Sequence, residues 1–177
     1  MKKFLLIVIC LAAASLAGRS QQHLLFEGVA IDGDINPFVK TLIDKGFRQI
    51  KSDAALRGKV FGQAATVLAA SNPDDGTVYL VMVTFDTKKL WENIRTCYES
   101  MKMQLSVRYG EPLVSREEFS SELAEADPLL ALKYGNCTYL SHYTAPGGEI
   151  SLSISRDAQV NLYFIDTENS RPMRPEL

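Results

Sequence analysis

Glu149-Ile150-Ser151-Leu152-Ser153-Ile154-Ser155 sets an apolar side chain at every second position with a serine between. A period of two belongs to a strand with one face on a core and the other in water, so this segment decides the class of the fold. Strand-like runs flank it, Cys137 to Thr144 before and Gln159 to Asp166 after. The turn signals between them, Ala145-Pro146-Gly147-Gly148 and Arg156-Asp157-Ala158, have hairpin length. Strands joined by hairpins pair antiparallel.

Upstream, Phe47 to Lys51 reads as a short strand, Gly58 to Ser71 as a longer one and Thr77 to Phe85 as a third, with Asn72-Pro73-Asp74-Asp75-Gly76 as the turn before the last. A helical period precedes each group. Asn36-Pro37 supplies an N-cap and a first-position proline, Phe38, Val39, Leu42 and Ile43 form a stripe, and Gly46 ends the helix. Asp86 is placed to cap a second helix, with Leu90, Trp91, Ile94, Cys97, Tyr98, Met101 and Leu105 on one side and Met103 off it, running to Tyr109-Gly110-Glu111-Pro112. Ser115-Arg116-Glu117-Glu118 has the form of a capping box opening a short acidic helix through Ala126, and Asp127-Pro128 starts another. Helices that bury a single stripe lie across one sheet face. The expected fold class is therefore α+β, a two-layer, mainly antiparallel sheet with helices on one face, in an order that admits two αβββ half-repeats.

At the start, Met1-Lys2-Lys3 and the apolar run Phe4 to Leu11 precede Ser15-Leu16-Ala17, the pattern of a signal peptide over residues 1–17 cleaved before Gly18. The expected organisation is a single α+β domain over 18–167 and a flexible C-terminal tail over 168–177, and the expected location is periplasmic or extracellular. Losing Lys2 and Lys3 takes the formal net charge from −2 to about −4, a sign that argues against a nucleic-acid partner. No run after the leader is long enough for an integral membrane span. With 46% hydrophobic and 23% charged residues the chain has ordinary globular usage, which excludes a disordered or disulfide-dense class.

Phe26-Glu27-Gly28, Ile31-Asp32-Gly33, Lys45-Gly46-Phe47 and Tyr109-Gly110-Glu111-Pro112 together resemble small exported proteins of Bacteroides-type bacteria, over most of residues 24–166. The order of helices and strands is similar to that of the tandem units in β-lactamase-inhibitor-like and outer-membrane-assembly small-protein folds. That resemblance implies an envelope or secreted location and action by binding other proteins, and it supplies no catalytic residues.

The residues themselves point to little chemistry. Walker, dinucleotide, Gly-x-Ser-x-Gly, His-Glu-x-x-His and Cys-x-x-Cys patterns are missing, and no cofactor or metal spacing occurs. Gly58 and Gly62 lie in a strand-like run, where a bulge or close backbone contact outweighs a phosphate loop. Asp74 and Asp75 read as turn residues rather than calcium ligands. Cys97 and Cys137 are an even pair after the leader leaves: one disulfide and two separate buried thiols are equally open readings. The candidate binding residues are His142, on a strand, and Glu117, Glu118, Glu122 and Glu125, an acidic helix face suited to a basic partner. The leading expectation is an exported, non-enzymatic binding module for a protein or small envelope ligand. One alternative is a hydrolase-like enzyme with a dispersed site near His142. Another is a structural envelope component assembling through the edge of the Gln159 to Asp166 strand.

Overall fold

Ten strands and five helices make up the computed structural model of the chain, which describes residues 22–50, 54–87 and 89–171. β1 (Leu25–Phe26) and β2 (Val29–Ala30) form a small hairpin about Glu27-Gly28, both at positive φ. Then come α1 (Ile35–Asp44), β3 (Arg48–Gln49), β4 (Ala55–Val60), β5 (Gln63–Ser71), β6 (Val78–Phe85) and α2 (Trp91–Tyr109). The rest is β7 (Val114–Phe119), α3 (Glu122–Ala126), α4 (Pro128–Tyr134), β8 (Cys137–Ala145), β9 (Gly148–Ile154), β10 (Val160–Asp166) and α5 (Thr167–Ser170).

Strands β3 to β10 build one antiparallel sheet in the order β3-β4-β5-β6-β10-β9-β8-β7. The order reads the same from either edge toward the β6–β10 seam. A helix opens each half, α1 before β3 to β6 and α2 before β7 to β10, so each half holds one strand more than the expected three. The fold is α+β, with its helices on one face.

Alternation along the strands shows which face. The row Val67, Val83, Leu162, Leu152 and Ser141 crosses five strands in register, and each residue in it is fully buried. Phe38, Val39 and Leu42 of α1 and Ile94, Cys97, Tyr98, Met101 and Leu105 of α2 belong to the same buried cluster. Burying a branched aliphatic side chain contributes about 1.5–3 kcal/mol, so such a row and two stripes supply most of the driving force. On the opposite face of β5, β6, β8, β9 and β10 one residue, Asn161, is buried, and the others stay partly or well exposed.

Several local expectations are corrected. Gly58 to Ser71 is two strands, because Phe61 and Gly62 take φ of 50° and 80° and close a tight hairpin between β4 and β5. Ser115-Arg116-Glu117-Glu118 caps no helix: it lies in β7, paired with β8 from Val114↔His142 to Phe119↔Cys137. Ser121 caps α3 instead, its Oγ accepting from Ala124 N at 3.2 Å. The first helix starts from Asp34 rather than Asn36. The second starts from an exposed Leu90, while Asp86 is engaged with Arg57. Gln159 to Asp166 is no edge: as β10 it is bonded to β6 and β9, and the outer strands are β3 and β7. At the end of the domain, residues 167–170 form a helical turn, with Asp166 Oδ1 accepting from Asn169 N and Asn169 Nδ2 donating to the Ile31 and Val78 carbonyls. The leader over residues 1–17, Lys51 and the tail over 172–177 fall outside the described residues.

Candidate functional site

The uncovered face of the sheet presents a composition that water alone does not call for. Its middle row runs Leu68, Met82, Tyr163, Ser151, His142 and Val114 across β5, β6, β10, β9, β8 and β7. Leu80 and Ile165, directly opposite one another across the seam, lie on the same face. β9 offers serines there, as its alternation requires, but β5, β6 and β10 offer Leu68, Leu80, Met82, Tyr163 and Ile165. At the seam the Thr84 hydroxyl donates to Asn161 Oδ1 at 2.9 Å, fixing the register of the halves on this same face. Leu68 is exposed and Leu80, Met82, Tyr163 and Ile165 are partly exposed, an apolar strip framed by polar side chains.

His142 stands in the middle row, with Nε2 4.0 Å from Glu149 Oε2, an ion-pair separation and too long for a hydrogen bond. Ser151 is its cross-strand neighbour. The acidic residues do not form one helix face. Glu118 lies on the open face of β7 opposite Thr138, Glu117 points to the helix side where Lys102 engages it, and Glu122 and Glu125 are exposed in the first turn of α3. The strand geometry separates them because alternate residues of β7 point to opposite sides.

Cys97 and Cys137 are free, buried thiols, which decides between the two open readings. The Cys97 thiol donates to Gln63 Oε1 at 3.2 Å, and burial pushes both thiols up to about 11. Burial likewise raises Tyr98, Tyr109 and Tyr139 above the usual phenol value. Asn72, Asp74 and Asp75 make turn hydrogen bonds: Asn72 Oδ1 accepts from Asp74 N at 3.0 Å and Asp75 Oδ1 from Thr77 N at 2.8 Å.

One constellation escaped the sequence reading. His23 puts Nδ1 3.2 Å from Oδ2 of the fully buried Asp166 and Nε2 3.5 Å from Asp32 Oδ2. Leu24 N donates to the same Asp166 oxygen at 2.8 Å. Both ring nitrogens thus face carboxylates, and the ring clasps the start of the domain to its end. The 143-residue separation of His23 and Asp166 leaves no local pattern by which to find the pair. A cavity of about 290 Å³ adjoins it, lined by His23, Arg108, Tyr109 and Pro146 among others.

Compared with protein-family models, with curated proteins and with solved structures, the chain has no match.

Proposed function

We propose that this chain is an exported, non-enzymatic binding module that engages a protein partner through the open face of its sheet. The observation that carries the reading is the strip of Leu68, Leu80, Met82, Tyr163 and Ile165, which the described helices leave uncovered. Large apolar side chains on a free sheet face draw a partner by the same area burial that holds the core. Arg57 and Lys59 on β4 and Glu149 on β9 give that face a mixed charged surround, which suits a partner with an apolar centre and a polar rim. The leader pattern of residues 1–17 supports export, and the doubled strand order fits the resemblance to tandem binding units.

The test is a cross-linking capture from envelope extract with the mature chain, repeated with Met82→Asp, Tyr163→Asp and, on the far side, Val107→Asp. The reading expects one partner captured by the wild type and Val107→Asp, lost with both face variants, while melting temperatures stay unchanged. A partner kept by the face variants, or none with the wild type, overturns it. N-terminal sequencing of the exported protein should begin at Gly18; an uncleaved chain in the cytoplasm would remove the export half of the reading.

A further inference from the structure

The chain carries more acid than base, yet its bases are not evenly spread. A cleft of about 480 Å³ at the β3–β4 end of the sheet is lined by eight residues, of which Lys45, Arg48, Arg57 and Lys59 are cationic and none is acidic. Basic residues are 19 of 177 in the whole chain, so half of this lining against roughly a tenth overall is a concentration of charge. Like charges gathered at one place repel, and folding alone gives no reason to gather them.

The four cations arrive from three segments. Lys45 closes α1, Arg48 lies in β3, and Arg57 and Lys59 lie two apart on β4, so their side chains share one face. Arg48 and Arg57 are direct cross-strand partners, a like-charge pair whose repulsion Asp86 offsets at Arg57 alone among the ion pairs of the described residues. Arg57 is held in place, its Nη1 donating to Thr66 Oγ1 at 2.9 Å and its Nη2 engaging Asp86. Among the described residues no ion pair engages Lys45, Arg48 or Lys59. The last carbonyls of α1 do not compete for them, because Lys45, Gly46 and Phe47 N–H groups already donate to Thr41, Leu42 and Ile43 oxygens. Behind β4, on the helix side, a Cβ on Gly58 would sit 2.3 Å from Cδ1 of the buried Phe47 ring, so backbone and ring are in contact behind the strand that carries Arg57 and Lys59.

We infer that this cleft is a binding site for a small, multiply charged oxyanion carrying phosphate groups. A guanidinium fork such as that of Arg48 matches a tetrahedral oxyanion in a pair of hydrogen bonds, and Lys45 and Lys59 add point charges around it. The three cations that no ion pair among the described residues engages set the preference for a ligand with more than one negative charge, and about 480 Å³ gives room for a pyrophosphate or a phosphate ester with an organic group. A free phosphate ester and a phosphorylated lipid headgroup share that chemistry.

Isothermal titration of the full mature chain with inorganic pyrophosphate at low salt tests the site, with vesicles of phosphatidylcholine containing phosphatidic acid as a second arm. Saturable pyrophosphate binding with Kd below about 1 mM is expected, with about a tenfold loss for Arg48→Ala and for Lys59→Ala and no change for Lys133→Ala on α4. Amide resonances of Gly46, Gly58 and Ala64 should move on titration, and those of the variants should stay otherwise in place, which separates lost binding from lost folding. Vesicle binding that pyrophosphate displaces assigns the lipid source, and vesicle binding absent beside pyrophosphate binding assigns the soluble one. Failure to bind pyrophosphate, or wild-type affinity retained by Arg48→Ala and Lys59→Ala, overturns the inference whatever happens at the apolar face.

Discussion

Cys97 and Cys137 show how a residue's surroundings, rather than its identity, set its chemistry. Each thiol sits in apolar packing that disfavours its anion, and each is raised from the ordinary 9.0 to about 11. Below about pH 9 the thiols are protonated in the folded and the unfolded chain, and their contribution to stability is complete. As pH rises from there toward 11 the unfolded chain ionises first, protons leave on unfolding, and stability falls. The melting temperature is therefore expected to hold through neutral pH and to drop across that alkaline window, less steeply in Cys97→Ala and Cys137→Ala. A profile identical in wild type and both variants would show that the thiols play no part. Gly58 marks how much a single position can disclose beforehand: its place in a strand-like run suggested a close contact, and the Phe47 ring occupies the space a side chain would need. That the contact is Phe47, rather than backbone, was beyond reach, since nothing local links the two residues.

Among the elements, α2 is tied to the sheet by polar as well as apolar contacts. The Tyr98 hydroxyl meets Ser141 Oγ at 2.7 Å with both residues fully buried, and the Tyr143 hydroxyl donates to Lys102 O at 3.2 Å. Tyr98→Phe leaves the Ser141 hydroxyl buried without that partner and should lower unfolding free energy in urea by about 1–3 kcal/mol. Adding Ser141→Ala to Tyr98→Phe should restore part of the loss, because both unmet groups are then gone. Costs that simply add would show the two hydroxyls to be independent. The helix itself was legible, since its stripe of Ile94, Cys97, Tyr98, Met101 and Leu105 is a regular period. The elements misread had ambiguous local signals. Ser115 to Glu118 matches a helix start as well as a charged edge strand, and only pairing with β8 decides it. The β4–β5 turn hid behind Phe61, a residue that rarely takes positive φ. Candidate site residues were harder still: His23 meets Asp166 only through long-range closure of the chain, and Lys45, Arg48, Arg57 and Lys59 meet only once the β3–β4 register is set.

For the molecule as a whole, the symmetric strand order raises the question whether the halves are two domains or one. The seam answers it: β6 and β10 pair from Thr84↔Asn161 to Leu80↔Ile165, and beneath it Val81 and Val83 share a single buried cluster with Leu162 and Phe164. Separation would strip a central strand in each half of its partner, and an unpaired, apolar edge of eight residues such as β6 is an aggregation site rather than a domain boundary. The clasp of His23 on Asp166 runs across the same division, joining the segment before the first half to the end of the second. Calorimetry should therefore show one transition, with equal calorimetric and van't Hoff enthalpies and a heat-capacity change of about 2 kcal/mol/K for a folded unit of roughly 150 residues. Two resolved transitions, or a stable monomeric fragment spanning residues 22–87, would mean that each half carries its own core. A single transition also bears on binding, since a ligand in the β3–β4 cleft would then raise the melting temperature of the entire sheet, the apolar face of the other half included.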